Sequence, residues 1–167
     1  MKIDRKWAMP SRNTLNIKPI YEWAEPYLVD ATMSIDPFAR NCELADVTND
    51  LNPDTDAKWH KPANEFLKLF DNADLVIFDP PYSLRQVKEC YENYGVGFTQ
   101  KDSQNAIRWT VERDIIAKNQ RKGEVVLSFG WTSTCMGKKR GYEIESILLV
   151  SHGPAHNDTI CVAERKR

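Results

Sequence analysis

The residues best suited to chemistry are Ile77-Phe-Asp-Pro-Pro-Tyr-Ser83, where an apolar run delivers an acid, two prolines and an aromatic ring in succession. Asp79 brings a carboxylate that accepts hydrogen bonds. The consecutive Pro80 and Pro81 restrict the turn, so the carbonyl of Pro80 is aimed in a fixed direction. Tyr82 adds a flat face against which a planar group stacks. Two more acids close short apolar stretches upstream: Asp36 in Ser34-Ile-Asp-Pro-Phe-Ala-Arg-Asn41, and Asp50 in Asn49-Asp-Leu-Asn-Pro53.

Three acids at the ends of three strands share a rim only if the strands run side by side. The pattern supplies such strands. Apolar runs over 31–35, 46–49, 73–78 and 125–129 read as strands, with a possible short one at 58–60. Between them, 17–28 reads as a helix with Asn16 as a cap and Pro19 in its first turn. Residues 63–70, 84–94 and 106–119 are also helical in pattern, and 95–105 and 132–141 are loops. The last two strands, 143–151 and 158–164, follow one another around Gly153-Pro154. Strand–helix alternation ending in adjacent strands predicts an α/β fold: an open, mostly parallel sheet with an antiparallel edge. In such sheets ligands bind beyond the carboxyl ends of the strands, where the three acids fall.

The chain has 167 residues, a size that suits one domain over 1–167. No apolar stretch approaches the ~18 residues needed to span a bilayer, and the first residues lack an uninterrupted signal-peptide core. Cys42, Cys90, Cys135 and Cys161 are widely and irregularly spaced, which fits free thiols and a cytoplasmic location better than a disulfide framework or a metal motif. His152 and His156 are separated by Gly153-Pro154, so no helical metal pair forms and no metal is expected. The near-neutral total of 23 basic and 24 acidic side chains hides an asymmetry: residues 1–83 carry 9 basic and 14 acidic groups, residues 84–167 carry 14 and 10. Clusters such as Lys138-Lys139-Arg140, flanked by Gly137 and Gly141, suit contact with phosphates. The loop after the strand at 125–129 is expected on the same rim as Asp79.

The Asp-Pro-Pro-Tyr sequence at 79–82 closely resembles the catalytic motif of S-adenosylmethionine-dependent N6-adenine DNA methyltransferases. Residues 34–41 look like that family's first motif, Asp-Pro-Phe-x-Gly-x-Gly, and 49–53 like its second. The stretch 125–164, with Ser128-Phe-Gly-Trp131 and His156-Asn-Asp-Thr159, is similar to compact phage and prophage members. The resemblance covers roughly 7–164. It implies a Rossmann-like class I methyltransferase fold with reduced helices and no separate target-recognition domain. Asp79, Pro80, Pro81 and Tyr82 would be catalytic, and S-adenosylmethionine would be held by Asp36, Pro37, Phe38, Asn41, Asp50, Leu51 and Ala63, with Asp50 on the ribose hydroxyls. The partner would be DNA, single-stranded or with its base flipped, because the amine is inaccessible inside a duplex. Small recognition elements also fit a homodimer.

Departures from the family pattern mark where the chain must differ. Arg40 and Asn41 stand where the first motif carries small residues, so the loop turns another way and leaves Arg40 or Asn41 to meet the methionine carboxylate. Only 43 positions separate Asp36 from Asp79, so the helices between the early strands are shortened or missing. Pro62 lies where the family often has an acid. The segment 7–16 matches a stretch that closes over the cofactor. Other readings are the same chemistry on RNA adenine or on cytosine N4, the latter activity more often carrying Ser in place of Asp79. A catalytically inactive nucleic-acid-binding homologue is the rival from a different class.

Overall fold

The computed structural model describes residues 1–82 and 109–167. The helix expected over 84–94, the loop 95–105 and the first three residues of the helix expected over 106–119 lie outside the described residues. Among the described residues seven strands form one sheet: β1 (Lys2–Trp7), β2 (Ser34–Asp36), β3 (Val47–Thr48), β4 (Leu75–Phe78), β5 (Val125–Gly130), β6 (Tyr142–Ser151) and β7 (Thr159–Lys166). Their spatial order is β1-β6-β7-β5-β4-β2-β3. The described helices are α1 (Lys18–Asp30), α2 (Ala63–Leu67) and α3 (Thr110–Asn119).

The run Leu75-Val-Ile-Phe78 explains the layering. All four residues are buried, as expected for a parallel strand covered on both faces. Leu75 and Ile77 face a cluster with Ile17, Ile20 and Ala24 from the start of α1, while Val76 and Phe78 join Phe66, Leu67 and Ile116 from α2 and α3. Strict alternation of Cβ direction assigns successive residues to opposite cores. The sheet is thus a partition between two apolar layers.

The mostly parallel sheet with an antiparallel component and reduced helices is as expected, and 43 positions suffice because only β3 and the five-residue α2 lie between β2 and β4. The possible strand at 58–60 shrinks to a single bridge between Asn49 and Trp59. Asn16 does not cap α1: it closes a 3-10 turn over Thr14–Asn16, and Ile17 occupies the cap without a side-chain bond, with Pro in the first turn. The antiparallel strand β7 is inserted between β5 and β6 and runs against both. β6 is not the edge, because β1 pairs parallel to it from Lys2 opposite Ser146 to Trp7 opposite Ser151.

One expected placement is corrected. Lys138-Lys139-Arg140 does not share a rim with Asp79. Asp79 follows Phe78, whose partner is Ser128 late in β5. The basic turn precedes Tyr142, which pairs with Lys166, and the neighbouring Arg165 pairs with Val125, the first residue of β5. After Gly130 the chain crosses back to the other end of the sheet, where the Glu164 carboxylate accepts the N–H groups of Met136 at 2.6 Å and Gly137 at 2.9 Å. Arg140 is moreover paired with Asp114 at 2.7 Å.

Candidate active site

A cleft of about 780 Å³ opens at the carboxyl ends of β2, β3 and β4. Pro37, Phe38, Asp50, Leu51, Ala63, Asp79, Pro80, Pro81 and Tyr82 all line it. Asp36 and Asn41 do not, and neither do Lys138, Lys139 and Arg140. Three further segments complete the walls: Pro10, Ser11, Arg12 and Thr14 before α1; Trp109 and Trp131 after the central elements; and His152, His156 and Asn157 between β6 and β7.

Asp36 shapes the loop from beneath. It is 3% exposed, and its Oδ1 accepts the Phe38 N–H at 2.9 Å, a local turn that sends the chain away from β2. Burial lifts its carboxyl well above the usual range; the Phe38 bond opposes this, and the charges of Asp79 and Asp50 add to it. A raised folded-state value makes the ionised form a stability cost that grows as pH rises through the window above the unfolded value. Asp36→Asn keeps the acceptor and removes the charge. It is expected to raise Tm at pH 7 by roughly 2–4 °C per kcal/mol relieved. Melting curves across pH check this, since the gain must fade as acid neutralises the wild-type residue.

Asp50 is placed differently. Its Oδ2 accepts the Arg40 N–H at 3.0 Å and its Oδ1 the Asn52 N–H at 2.9 Å. Each carboxylate oxygen retains acceptor capacity toward the cleft. Arg40 has φ +53°, a left-handed backbone that costs a non-glycine residue roughly 1 kcal/mol. Its Nη1 donates to the carbonyl of Arg12 at 2.9 Å, tying this loop to the wall before α1. Asn41 instead faces outward, its Oδ1 accepting the Asp56 N–H at 3.2 Å.

Asp79 is held at the cleft floor by its neighbours. The Tyr82 hydroxyl donates to its Oδ1, and Thr14 Oγ1 lies 3.3 Å from the same hydroxyl. Burial pushes the Asp79 carboxyl above the usual carboxylate range, while bonds from Thr14 and Tyr82 and the positive charge of Arg40 pull it back. Burial, reinforced by Asp79, pushes the Tyr82 phenol far above its ordinary value, so it remains a donor. The Tyr82 ring sits 5.5 Å from that of Trp131, inclined at 58°. Phe38 meets Phe78 edge-on at 5.5 Å and Trp109 at 5.0 Å, which makes the inner wall rigid and aromatic.

Two buried polar residues that sequence reasoning missed fix these walls. Asn49 has no exposed surface; its Nδ2 donates to the carbonyls of Pro37 (3.1 Å) and Lys61 (3.0 Å), and its Oδ1 accepts the Lys61 N–H at 2.9 Å. It therefore staples the loop after β2 to the segment before α2. His152 places Nδ1 2.8 Å from the Ala8 carbonyl and Nε2 2.8 Å from Thr159 Oγ1. A carbonyl only accepts, so Nδ1 carries the hydrogen and, in the neutral ring, Nε2 accepts from the threonine. The adjacency of Asn49 to Asp50 was the available signal for the first; nothing in the sequence pointed to the second. Among the described residues no group of His, Cys, Asp and Glu could hold a metal ion.

The strand order, the antiparallel β7 and the cleft at the strand ends define the Rossmann-like class I methyltransferase fold. The chain is similar to TrmN from Thermus thermophilus, with a TM-score of 0.60 at 12% identity, covering 93% of this chain and 50% of that one. It is also similar to NSun6 from Pyrococcus horikoshii, solved with SFG, with a TM-score of 0.54 at 13% identity over 82% of this chain and 48% of that one. The chain thus spans about half the length of each. No protein-family model and no curated protein sequence matches it. No described helix is long and apolar enough to cross a membrane.

Proposed function

We propose that the chain transfers a methyl group from S-adenosylmethionine to the exocyclic N6 amine of adenine in DNA. The observation that carries this reading is the Asp79-Pro80-Pro81-Tyr82 turn, delivered by β4 into a cleft that Asp50 and Phe38 also line. The residues fit the methyl donor: Asp50 offers two partly engaged carboxylate oxygens for vicinal hydroxyls, and Phe38 with Leu51 and Ala63 offers apolar surface for a ring. The donor supplies an electrophilic methyl on a sulfonium.

The chain's own residues do the rest. The adenine N6 lone pair is conjugated into its ring. Asp79 and the Pro80 carbonyl each accept one N6–H, drawing the amine toward a geometry with an available lone pair and opposing its developing positive charge. Tyr82 and Trp131 present ring faces to an extruded base, and stacking contributes ~1–3 kcal/mol per base. Alignment of methyl and nitrogen is then an effect of orientation; the new N–C bond would replace the donor's S–C bond, leaving a neutral thioether, and the surplus N6 proton would pass to solvent. Lys138, Lys139 and Arg140 lie on the opposite rim of the sheet from this turn.

Asp79 opposes the cationic amine with a full negative charge only when ionised, so kcat/KM should fall on an acid limb centred above the ordinary Asp value of ~3.9. Tyr82→Phe removes a bond that favours the ionised form and is expected to move that limb to higher pH while sparing the plateau. Tyr82→Ala should lower the plateau itself by about 5- to 150-fold, the equivalent of one lost stacking contact. Equal damage by both variants on the plateau contradicts the stacking role. The function is tested by nucleoside mass spectrometry of host DNA and RNA with and without expression of the chain. N6-methyladenine rising in DNA is expected. Methylation confined to RNA or to cytosine redirects the substrate, and no new methylated base overturns the activity.

A further inference from the structure

Resting on the methyl-transfer reading, we propose that Arg40 binds the carboxylate at the amino-acid end of the methyl donor, and that its left-handed backbone serves to aim the guanidinium at that subsite. Glycine adopts φ +53° freely, and the family that the loop resembles carries small residues here. An arginine that keeps this backbone has a side chain that does something a glycine cannot.

The position of that side chain says what. Arg40 lines the cleft, yet forms no salt bridge among the described residues. One of its five N–H donors is spent on the Arg12 carbonyl, which orients the fork beside the wall that precedes α1. Its charge is near enough to Asp79 to favour that carboxylate's ionised form. A donor with its hydroxyls at Asp50 and its methyl turned toward Asp79 has its amino-acid end left to place. The wall carrying Arg12 and Thr14, which contacts Tyr82, is the side of the cleft that Arg40 serves. A planar guanidinium is suited to the carboxylate found there.

Two of the nearby polar residues have contacts elsewhere. Asn41 accepts from Asp56 and does not line the cleft. Lys61 has its backbone bonded on both sides to Asn49, and its ammonium lies 5.9 Å from the centre of the Trp59 ring.

The test compares S-adenosylhomocysteine with 5′-methylthioadenosine, which keeps the nucleoside and sulfur but lacks the amino-acid end. Both are titrated by calorimetry into wild type and into Arg40→Gly, a substitution the backbone accepts without strain. A melting curve verifies that the variant folds. Wild type should bind S-adenosylhomocysteine at least about tenfold more tightly than 5′-methylthioadenosine. Arg40→Gly should weaken S-adenosylhomocysteine by about 10- to 100-fold, the range of a charged hydrogen bond, and leave 5′-methylthioadenosine within about twofold. A variant that keeps the wild-type preference, or loses affinity equally for both ligands, overturns the assignment while leaving the methyl-transfer reading intact. Wild type that binds neither ligand overturns the methyl-transfer reading, and the assignment with it.

Discussion

Asp79→Asn is expected to lower the rate of methyl transfer by about 10²–10³-fold while the fold and the affinity for S-adenosylhomocysteine stay near wild type. Asparagine preserves the shape and one acceptor, so Tyr82 keeps a partner for its hydroxyl. What disappears is the negative charge facing an amine that becomes cationic as the methyl arrives. That charge acts inside a cleft where burial already disfavours it, so it interacts with the reacting amine more strongly than it would in water. Single-turnover methylation of a DNA substrate, with calorimetry of the same preparation, separates chemistry from binding. A variant with wild-type turnover moves the catalytic role away from Asp79.

The largest effect on stability is expected from Asn49→Ala. The substitution removes three hydrogen bonds from a side chain with no exposed surface and strands the carbonyls of Pro37 and Lys61 and the Lys61 N–H. At roughly 1 kcal/mol per bond the loss is about 3 kcal/mol. For a chain of this size that lowers Tm by roughly 6–12 °C. Pro37 and Ala63 line the cleft on either side of this staple, so ligand affinity should fall in parallel. Thermal melts and calorimetry on one sample check both. A variant that melts like wild type shows that the two loops hold each other without the amide.

What the sequence revealed depended on whether a residue's role leaves a local pattern. β4 was legible because burial on both faces demands an uninterrupted apolar run, and the Asp79 turn because prolines and an acid at a strand end are informative together. β6 and β7 were legible from shorter apolar runs within them, Ile147–Val150 and Ile160–Ala163, with ends displaced by one or two residues. β1 was not. Five of its six residues are exposed, so neither alternation nor apolar content marks Lys-Ile-Asp-Arg-Lys-Trp; its place is set by backbone pairing to β6 from the far end of the chain. The side of the sheet occupied by Lys138-Lys139-Arg140 was equally hidden, since a loop's composition does not say that it crosses from one rim to the other. Asp36 and Asp50 look alike in sequence, but one faces into the protein beneath the loop and the other faces the cleft. Bonds between residues 12 apart, as at Asn49, or 144 apart, as between His152 and Ala8, have no local signature.

The pairing of β1 also bears on the mobility of the wall next to Arg40. That wall is moored at both ends. Upstream, Ala8 donates to the Ser151 carbonyl and accepts from His152; downstream, Thr14–Asn16 is wound into a turn that runs into α1. Between the moorings, Arg40 grips the carbonyl of Arg12. A segment restrained at three points samples few conformations, so it has little configurational freedom left to surrender when a ligand settles beneath it. In entropic terms, the fold has ordered one wall of its binding site in advance, and a larger share of each contact made there remains as affinity.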